Sequence, residues 1–300
     1  MKILVTGALG NIGREISLFL SDYFELRICH WKKPEEKIKY ELITADITKD
    51  KEVEKAVQGV DAIVHLAAKG AKTPASACPE ETFKVNILGT FNLLRAAVKD
   101  NIKKFIFASS IWVYGLPPEG ITPEYLPIDE EHPLKAKGVY GISKILAEDL
   151  CKRYSCINDI SAMSLRIGQV FSKRTCSFED LARLRDKKLE EEARDGLWNH
   201  VDIRDLGQII KLSLESDISG YEVFNVNAEK HISTIDSQKL IKKFFPGVKK
   251  IYNKNDFVTG GNKSFYDISK ARRLLGYNPK YSLENYLKWV KEGNDKDEYY

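Results

Sequence analysis

Tyr140 and Lys144 stand four residues apart, so on a helix their side chains leave the same face one turn from each other. A free phenol, with a pKa near ~10, is a poor base at neutral pH, but a neighbouring ammonium favours the phenolate. Such a pair can take a proton from a hydroxyl or return one to a carbonyl oxygen. Ser109 and Ser110 follow the short apolar run 105–108, and a hydroxyl at that point could hold the oxygen whose proton moves. The spacing by itself is also that of a surface tyrosine near a lysine, so its meaning depends on what accompanies it.

The second group of chemically expressive residues opens the chain. Thr6-Gly7-Ala8-Leu9-Gly10-Asn11-Ile12-Gly13 lies between an apolar run at 2–6 and the helical spacing of Ile12, Ile16, Phe19 and Leu20. Glycines between a strand and a helix allow a tight turn and close backbone approach to a pyrophosphate, and the helix N-terminus adds free N–H donors and partial positive charge. Gly7, Gly10, Asn11, Ile12 and Gly13 are therefore expected to cradle a dinucleotide. An acidic residue about twenty positions beyond the glycines normally holds the adenosine ribose; here His30 occupies that place, followed by Trp31, Lys32 and Lys33. With no carboxylate to repel a 2′-phosphate, the expected cofactor is NAD(P), NADP favoured over NAD. Asp46 and Ile47, and the turn Leu66-Ala67-Ala68, are placed to border the adenine and its ribose.

These residues need a scaffold. Apolar runs at 2–6, 26–30, 41–44, 62–66, 105–108 and 161–166 alternate with helical patterns at 12–20, 51–58, 80–100 and 141–154. Such alternation predicts an α/β fold, a Rossmann-type doubly wound parallel sheet. A smaller C-terminal substrate lobe should follow: we expect a dinucleotide-binding domain over 1–171 and a lobe over 172–300, with 201–226 returning a helix (206–214) and a strand (223–226) to the sheet. Further helices are predicted at 235–245, 269–275 and 283–291, and the charged run 183–195 reads as a solvated helix face.

Composition agrees. The 300 residues are 43% hydrophobic and 10% aromatic, enough for a sizeable core, and 47 basic against 43 acidic residues leave a formal charge of only +4. No nucleic-acid or membrane partner is implied by so small and intermixed a charge. No apolar stretch is long enough for a membrane span and no signal-peptide core precedes the glycines, so a cytoplasmic location is expected. Five cysteines without CxxC spacing and five scattered histidines argue for reduced thiols and no metal site.

The ordered set TGALGNIG, ADIT, HLAA, NILGTFNLL, FASSIWVYG, YGISK and SLRIG resembles the extended short-chain dehydrogenases/reductases, the NAD-dependent epimerase/dehydratase group. The likeness is strong through residue 170 and weaker beyond, where VDIRD and DISKARRLLGYNP are also similar. It implies that Ser110 is the catalytic serine, with Ser109 the lesser alternative. It further implies that Tyr140 is the acid/base, that Lys144 lowers the tyrosine pKa and binds the nicotinamide ribose, and that Asn86 supports the cofactor end of the site. Proteins of this kind often pair through the helices matching 80–100 and 138–155, so a homodimer is expected.

Within the family, 4,6-dehydratases carry Asp-Glu directly after the Ser/Thr; Ile111 and Trp112 stand here, which argues against that reaction. Only 35 residues (167–201) separate Arg166 from Asp202, less than nucleotide-sugar epimerases use to grip the diphosphate. That segment looks closer to dehydrogenases of free sugars such as uronate dehydrogenase. Arg166 would then meet a substrate carboxylate, or else be a salt-bridged strand end; Lys173 and Arg174 are alternative anion contacts. Trp112 and His200 are expected pocket walls, and His65 and Trp198 packing residues. The expected function is an NAD(P)-dependent oxidoreductase moving hydride to or from a carbohydrate-like secondary alcohol or carbonyl. The rivals are a nucleotide-sugar 4-epimerase with tightly held NAD and a non-enzymatic NAD(P)-binding redox sensor.

Overall fold

The computed structural model describes residues 1–35, 37–70, 78–116, 120–175, 197–252 and 261–292. The charged run 183–195 lies outside them. Strand β1 (Lys2–Thr6) leads through the glycine turn into α1 (Asn11–Ser21), followed by β2 (Glu25–His30), β3 (Glu41–Thr44), α2 (Asp50–Val57) and β4 (Ala62–His65). A long helix comes next, built of α3 (Pro79–Phe83), a π turn (Lys84–Leu88) and α4 (Gly89–Lys99). Strand β5 (Lys104–Ser110) runs into a 3₁₀ turn (Ile111–Tyr114), then β6 (Tyr125–Leu126), α5 (Val139–Ile157), β7 (Ser161–Ile167), β8 (Val170–Phe171), β9 (Val201–Asp202), α6 (Ile203–Glu215) and β10 (Tyr221–Val226). The chain ends through α7 (Ser237–Phe244), β11 (Lys250–Ile251), α8 (Ser269–Leu275) and α9 (Leu283–Lys291).

Seven strands form one sheet in the order β10-β7-β5-β4-β1-β2-β3, and every pairing in it is parallel. This is the doubly wound sheet that the alternating apolar runs predict. Strands with both faces covered read as continuous hydrophobic runs, and Ile3, Leu4 and Val5 are fully buried. One apolar layer packs α1, α6 and α8 on one face, with Ile16, Leu20, Leu206, Ile210 and Leu275. The other packs α2, α4 and α5, with Val53, Leu93, Leu94 and Ala147. The order reverses between β1 and β4, opening a crevice at their carboxyl ends where open α/β sheets bind ligands.

A third cluster, with Tyr114, Phe171, Trp198, Phe265 and Tyr286, builds the lobe over that end of the sheet. Trp198 is 1% exposed and packs on Phe244, Phe245 and Phe265. One feature departs from the regular helix expected at 80–100. The π turn carries Asn86 inward to 2% exposure, and the Thr90 hydroxyl donates to the Asn86 carbonyl at 2.6 Å. Single π turns inside α-helices often mark functional places.

Candidate active site

The glycine turn has the shape a pyrophosphate requires. Gly7 has φ +70°, and a Cβ there would lie 2.7 Å from the Ala67 backbone; at Gly13 it would lie 2.1 Å from the Gly7 carbonyl oxygen. Neither position tolerates a side chain. Gly10 is the N-cap of α1, with no side-chain cap and no acidic residue in the first turn, so Asn11, Ile12 and their neighbours open this helix end. Unclaimed N–H groups there suit an anion. At the far end of the crevice, His30 ends β2 with its Nδ1 buried and unpaired. Burial, and then the Arg14 guanidinium, hold its pKa below the usual imidazole value. Lys32 lies over the exposed Trp31 ring at 4.3 Å. Arg14, which sequence reasoning missed, donates from Nε to the Leu9 carbonyl at 3.1 Å and so brings a cation to the glycine turn.

Asp46 is partly engaged locally, accepting from the Thr48 amide and hydroxyl at 2.9 and 2.8 Å, while Ile47 packs into the space left by Gly89. Leu66 and Ala67 lean on the glycine turn, the Leu66 amide donating to the Thr6 carbonyl at 3.2 Å; Ala68 is exposed. Asn86 is a clamp. It accepts from the Lys69 amide (2.8 Å) and donates to the Lys69 carbonyl (3.2 Å) and the Ser143 hydroxyl (2.9 Å). Its amide thus ties the π turn to the segment after β4 and to the catalytic helix.

Ser110, Tyr140 and Lys144 come together at the carboxyl end of β5. Ser110 is 6% exposed and Lys144 3%, and the Ser110 hydroxyl lies near enough to the Tyr140 phenol to hold its pKa down against burial. Trp112 meets Tyr140 edge to face at 6.3 Å. Gly141 permits the approach, since a Cβ would lie 2.7 Å from the Trp112 carbonyl. Lys144 Nζ donates to the Ala108 carbonyl at 2.6 Å and lies 5.6 Å from the Tyr140 ring centre. Burial lowers its pKa to about 8, with the Glu148 carboxylate opposing, so at neutral pH it remains an ammonium. The Tyr140 phenol is pushed up by burial and pulled back by Ser110.

Ser109 faces the other way. Its hydroxyl donates to Glu148 at 2.5 Å, leaving Ser110 as the serine at Tyr140. Glu148 in turn holds Arg166, through Nε at 3.1 Å and Nη2 at 2.8 Å, while Nη1 donates to the Tyr114 hydroxyl and the Glu130 carbonyl at 3.0 and 2.8 Å. The buried guanidinium thus makes the salt bridge of the strand-end reading, one of the two that the sequence left open. Glu148 was missed, although its position one turn beyond Lys144 was a readable signal. Lys173 and Arg174 lie beside Glu15 of α1.

His200 is likewise not at the catalytic groups. It is 2% exposed, stacks on Phe171 at 5.0 Å, and borders a separate cavity of about 360 Å³ with His231, Ser233, Thr234, Asn262 and Glu284. Among the described residues, no cluster of His, Cys, Asp and Glu could hold a metal ion, and no helix is long and apolar enough to cross a membrane.

A doubly wound sheet, a glycine cradle at its switch point and a Ser-Tyr-Lys cluster at the end of β5 define a dinucleotide-dependent enzyme of the short-chain dehydrogenase/reductase type. The model of the NAD-dependent epimerase/dehydratase family matches residues 3–227, and the chain belongs to that family. It is 26% identical to an NAD-dependent glucose-6-phosphate dehydrogenase of Haloferax volcanii, over 99% of this chain and 98% of that one. Against a uronate dehydrogenase of Pseudomonas syringae pv. tomato the identity is 31%, over 63% of this chain and 69% of the relative. The crystal structure of a UDP-Glc/GlcNAc 4-epimerase from Campylobacter jejuni superposes with a TM-score of 0.70 at 23% identity, covering 97% of this chain and 99% of that one.

Proposed function

We propose that the chain is an NAD(P)-dependent dehydrogenase or reductase acting on a secondary alcohol, lactol or carbonyl of a sugar that carries no nucleotide. The observation that carries this reading is the convergence of Ser110, Tyr140 and Lys144 beside the cradle. The uncapped helix end, the two glycines that exclude a Cβ and the unpaired His30 Nδ1 fit the dinucleotide. When bound, it would supply the acceptor or donor of the hydride. In the oxidative direction, the Ser110 hydroxyl orients the substrate oxygen and the Tyr140 phenolate removes its proton. The Lys144 ammonium lowers the cost of that phenolate and is aligned by the Ala108 carbonyl. In reduction, Tyr140 returns the proton.

One observation supports a free sugar over a nucleotide sugar, the short 167–201 segment; the relatives are named for both kinds of substrate, glucose 6-phosphate and uronate on one side and UDP-glucose on the other. Ile111 and Trp112 supply no acid/base pair for a dehydration. The replacement of the usual strand-end acid by His30, with Arg14 and Lys32 nearby, supports NADP over NAD. A buried lysine held beside a tyrosine is costly to keep in a protein that only senses a dinucleotide, which weighs against a non-enzymatic sensor. The same reading extends to a homodimer through α3, α4 and α5, where Phe83, Leu88, Phe91, Ile142 and Leu146 are 36–50% exposed.

The test is thermal-shift titration with NAD, NADP, uronic acids, aldoses and UDP-sugars, followed by turnover of the stabilising ligands in wild type and Tyr140→Phe. Loss of turnover by ~10²–10⁴-fold with cofactor affinity kept is the expected result. Stabilisation by UDP-sugars alone, with cofactor retained through purification and no net redox, would instead identify an epimerase.

A further inference from the structure

His65 ends β4 with 1% exposure, and the reaction derived above gives it no part. Its two ring nitrogens are nevertheless fully used. Nδ1 lies 2.7 Å from the Thr6 hydroxyl and Nε2 lies 3.0 Å from the Thr90 hydroxyl. The proton positions follow from the neighbours. Thr90 donates its only hydroxyl hydrogen to the Asn86 carbonyl at 2.6 Å, so toward His65 it can only accept. Nε2 must then carry the ring proton. Burial, and then the Lys144 ammonium, push the imidazole pKa down to about 3, so Nδ1 is bare and accepts from Thr6. The Thr6 oxygen in turn faces the Ala67 amide at 3.4 Å.

The result is a one-way chain of hydrogen bonds, from the Thr6 hydroxyl to His65, from His65 to Thr90, and from Thr90 to the Asn86 carbonyl. Its first member immediately precedes Gly7, the first glycine of the cradle. Its last is the residue of the π turn whose side chain reaches Lys69 and Ser143, one position before Lys144. We propose that His65, as a neutral Nε2–H imidazole, is a positioning residue of the cofactor site, coupling the glycine turn to the π turn that supports the catalytic helix. The inference rests on the dinucleotide reading above and extends it to a residue that touches neither cofactor nor substrate.

A pure packing role makes a different prediction. His65 lies between Phe105 and Phe107, at 5.9 and 5.7 Å between ring centres, and an apolar ring would suit that site as well as imidazole. His65→Phe should therefore weaken NADP and NAD binding by ~10-fold, the scale of two lost buried hydrogen bonds, while His65→Gln, whose amide offers one acceptor and donors, should recover to within ~3-fold of wild type. Thr90→Val should weaken binding similarly, and its effect should be non-additive with that of His65→Phe. Binding is read by calorimetry and needs no substrate. ¹⁵N NMR of the wild-type imidazole should report the Nε2–H tautomer at pH 7, a readout that no variant's folding can compromise. An Nδ1–H or protonated His65, or His65→Phe binding both dinucleotides as tightly as wild type, would overturn this inference alone. If wild type bound neither NAD nor NADP, the cofactor reading itself would fall and this inference with it. Should His65→Phe not fold, the Gln and Thr90→Val affinities decide.

Discussion

The Glu148 carboxylate and the Arg166 guanidinium form an ion pair at 2.8 Å with side-chain exposures of 6% and 5%. It joins α5, which carries Tyr140 and Lys144, to β7, and through Ser109 to the strand that ends in Ser110. Arg166 is thereby a structural residue. Removing one partner from a buried pair leaves a charge uncompensated, at a cost of ~3–5 kcal/mol, whereas replacing both by apolar groups is often close to neutral. Arg166→Met should accordingly lower unfolding stability by ~3–5 kcal/mol in denaturant titration, and Arg166→Met with Glu148→Leu should regain most of it. If Arg166→Met retained full stability and raised KM only for carboxylated sugars, the arginine would be a substrate contact after all.

Lys144 gives a prediction in which stability and activity move in opposite directions. Its folded pKa of about 8 lies below its ordinary 10.5. A depressed pKa means that the group's contribution is fully present above the unfolded value and is lost as pH falls through the folded one. Wild-type stability should thus gain from this residue as pH rises from about 8 to about 10.5. Below that window, burying the ammonium costs stability, on the scale of ~1.4 kcal/mol for each tenfold loss of proton affinity. Lys144→Met should be more stable than wild type at pH 7 by ~1–3 kcal/mol, allowing for the lost bond to Ala108, and inactive. Denaturant melts of both proteins at pH 7 and pH 10 check this: the advantage of the variant must shrink at the higher pH.

How much of this was readable beforehand follows from the range of the interactions. The seven strands and the helices of the described residues rest on local apolar periodicity, so the order of elements could be read along the chain. The glycine cradle and the Tyr140/Lys144 pair are also local, four to eight residues in extent. The surroundings of Arg166 and His200 were not legible because their partners, Glu148, Tyr114 and Glu130 in one case and Phe171 in the other, are distant in sequence. The π turn was invisible for the same reason. The Thr90 hydroxyl just beyond it meets His65, brought from another strand, and helical spacing over 80–100 carries no trace of that.

The end of β2 predicts a switch of cofactor preference. His30 faces the Arg14 guanidinium closely enough for the cation, after burial, to depress its titration, and it stands where an acidic residue usually ends this strand. Introducing a carboxylate by His30→Asp would repel a 2′-phosphate and accept from a ribose hydroxyl. At an effective dielectric near ~20, a charge pair at ~5 Å is worth a few kcal/mol before screening, so a shift of at least ~10-fold in the NADP/NAD affinity ratio toward NAD is expected. Calorimetric affinities at two salt concentrations measure it, and the wild-type NADP affinity should fall with salt more steeply than the NAD affinity.

The last prediction concerns the outer face of α3, α4 and α5. Phe91 packs edge to face on Tyr154 at 6.1 Å yet remains 36% exposed, and Leu146 on the neighbouring helix is 40% exposed. Together with Phe83, Leu88 and Ile142 they place five large apolar side chains on helices that touch one another. Contiguous exposed apolar surface of this kind marks an interface more often than a solvated face, and a two-fold pairing would bury the same patch on both copies. Since α5 also carries Tyr140 and Lys144 on its inward side, pairing would stiffen the helix that sets the catalytic geometry. Phe91→Glu combined with Leu146→Glu should convert a dimer to a monomer in sedimentation equilibrium and leave the Ser110–Tyr140–Lys144 cluster in place. Turnover should fall by a few-fold at low protein concentration, with KM for the cofactor nearly unchanged. A wild-type protein that sediments as a monomer at all concentrations would rule out pairing through this face while leaving the active-site reading intact.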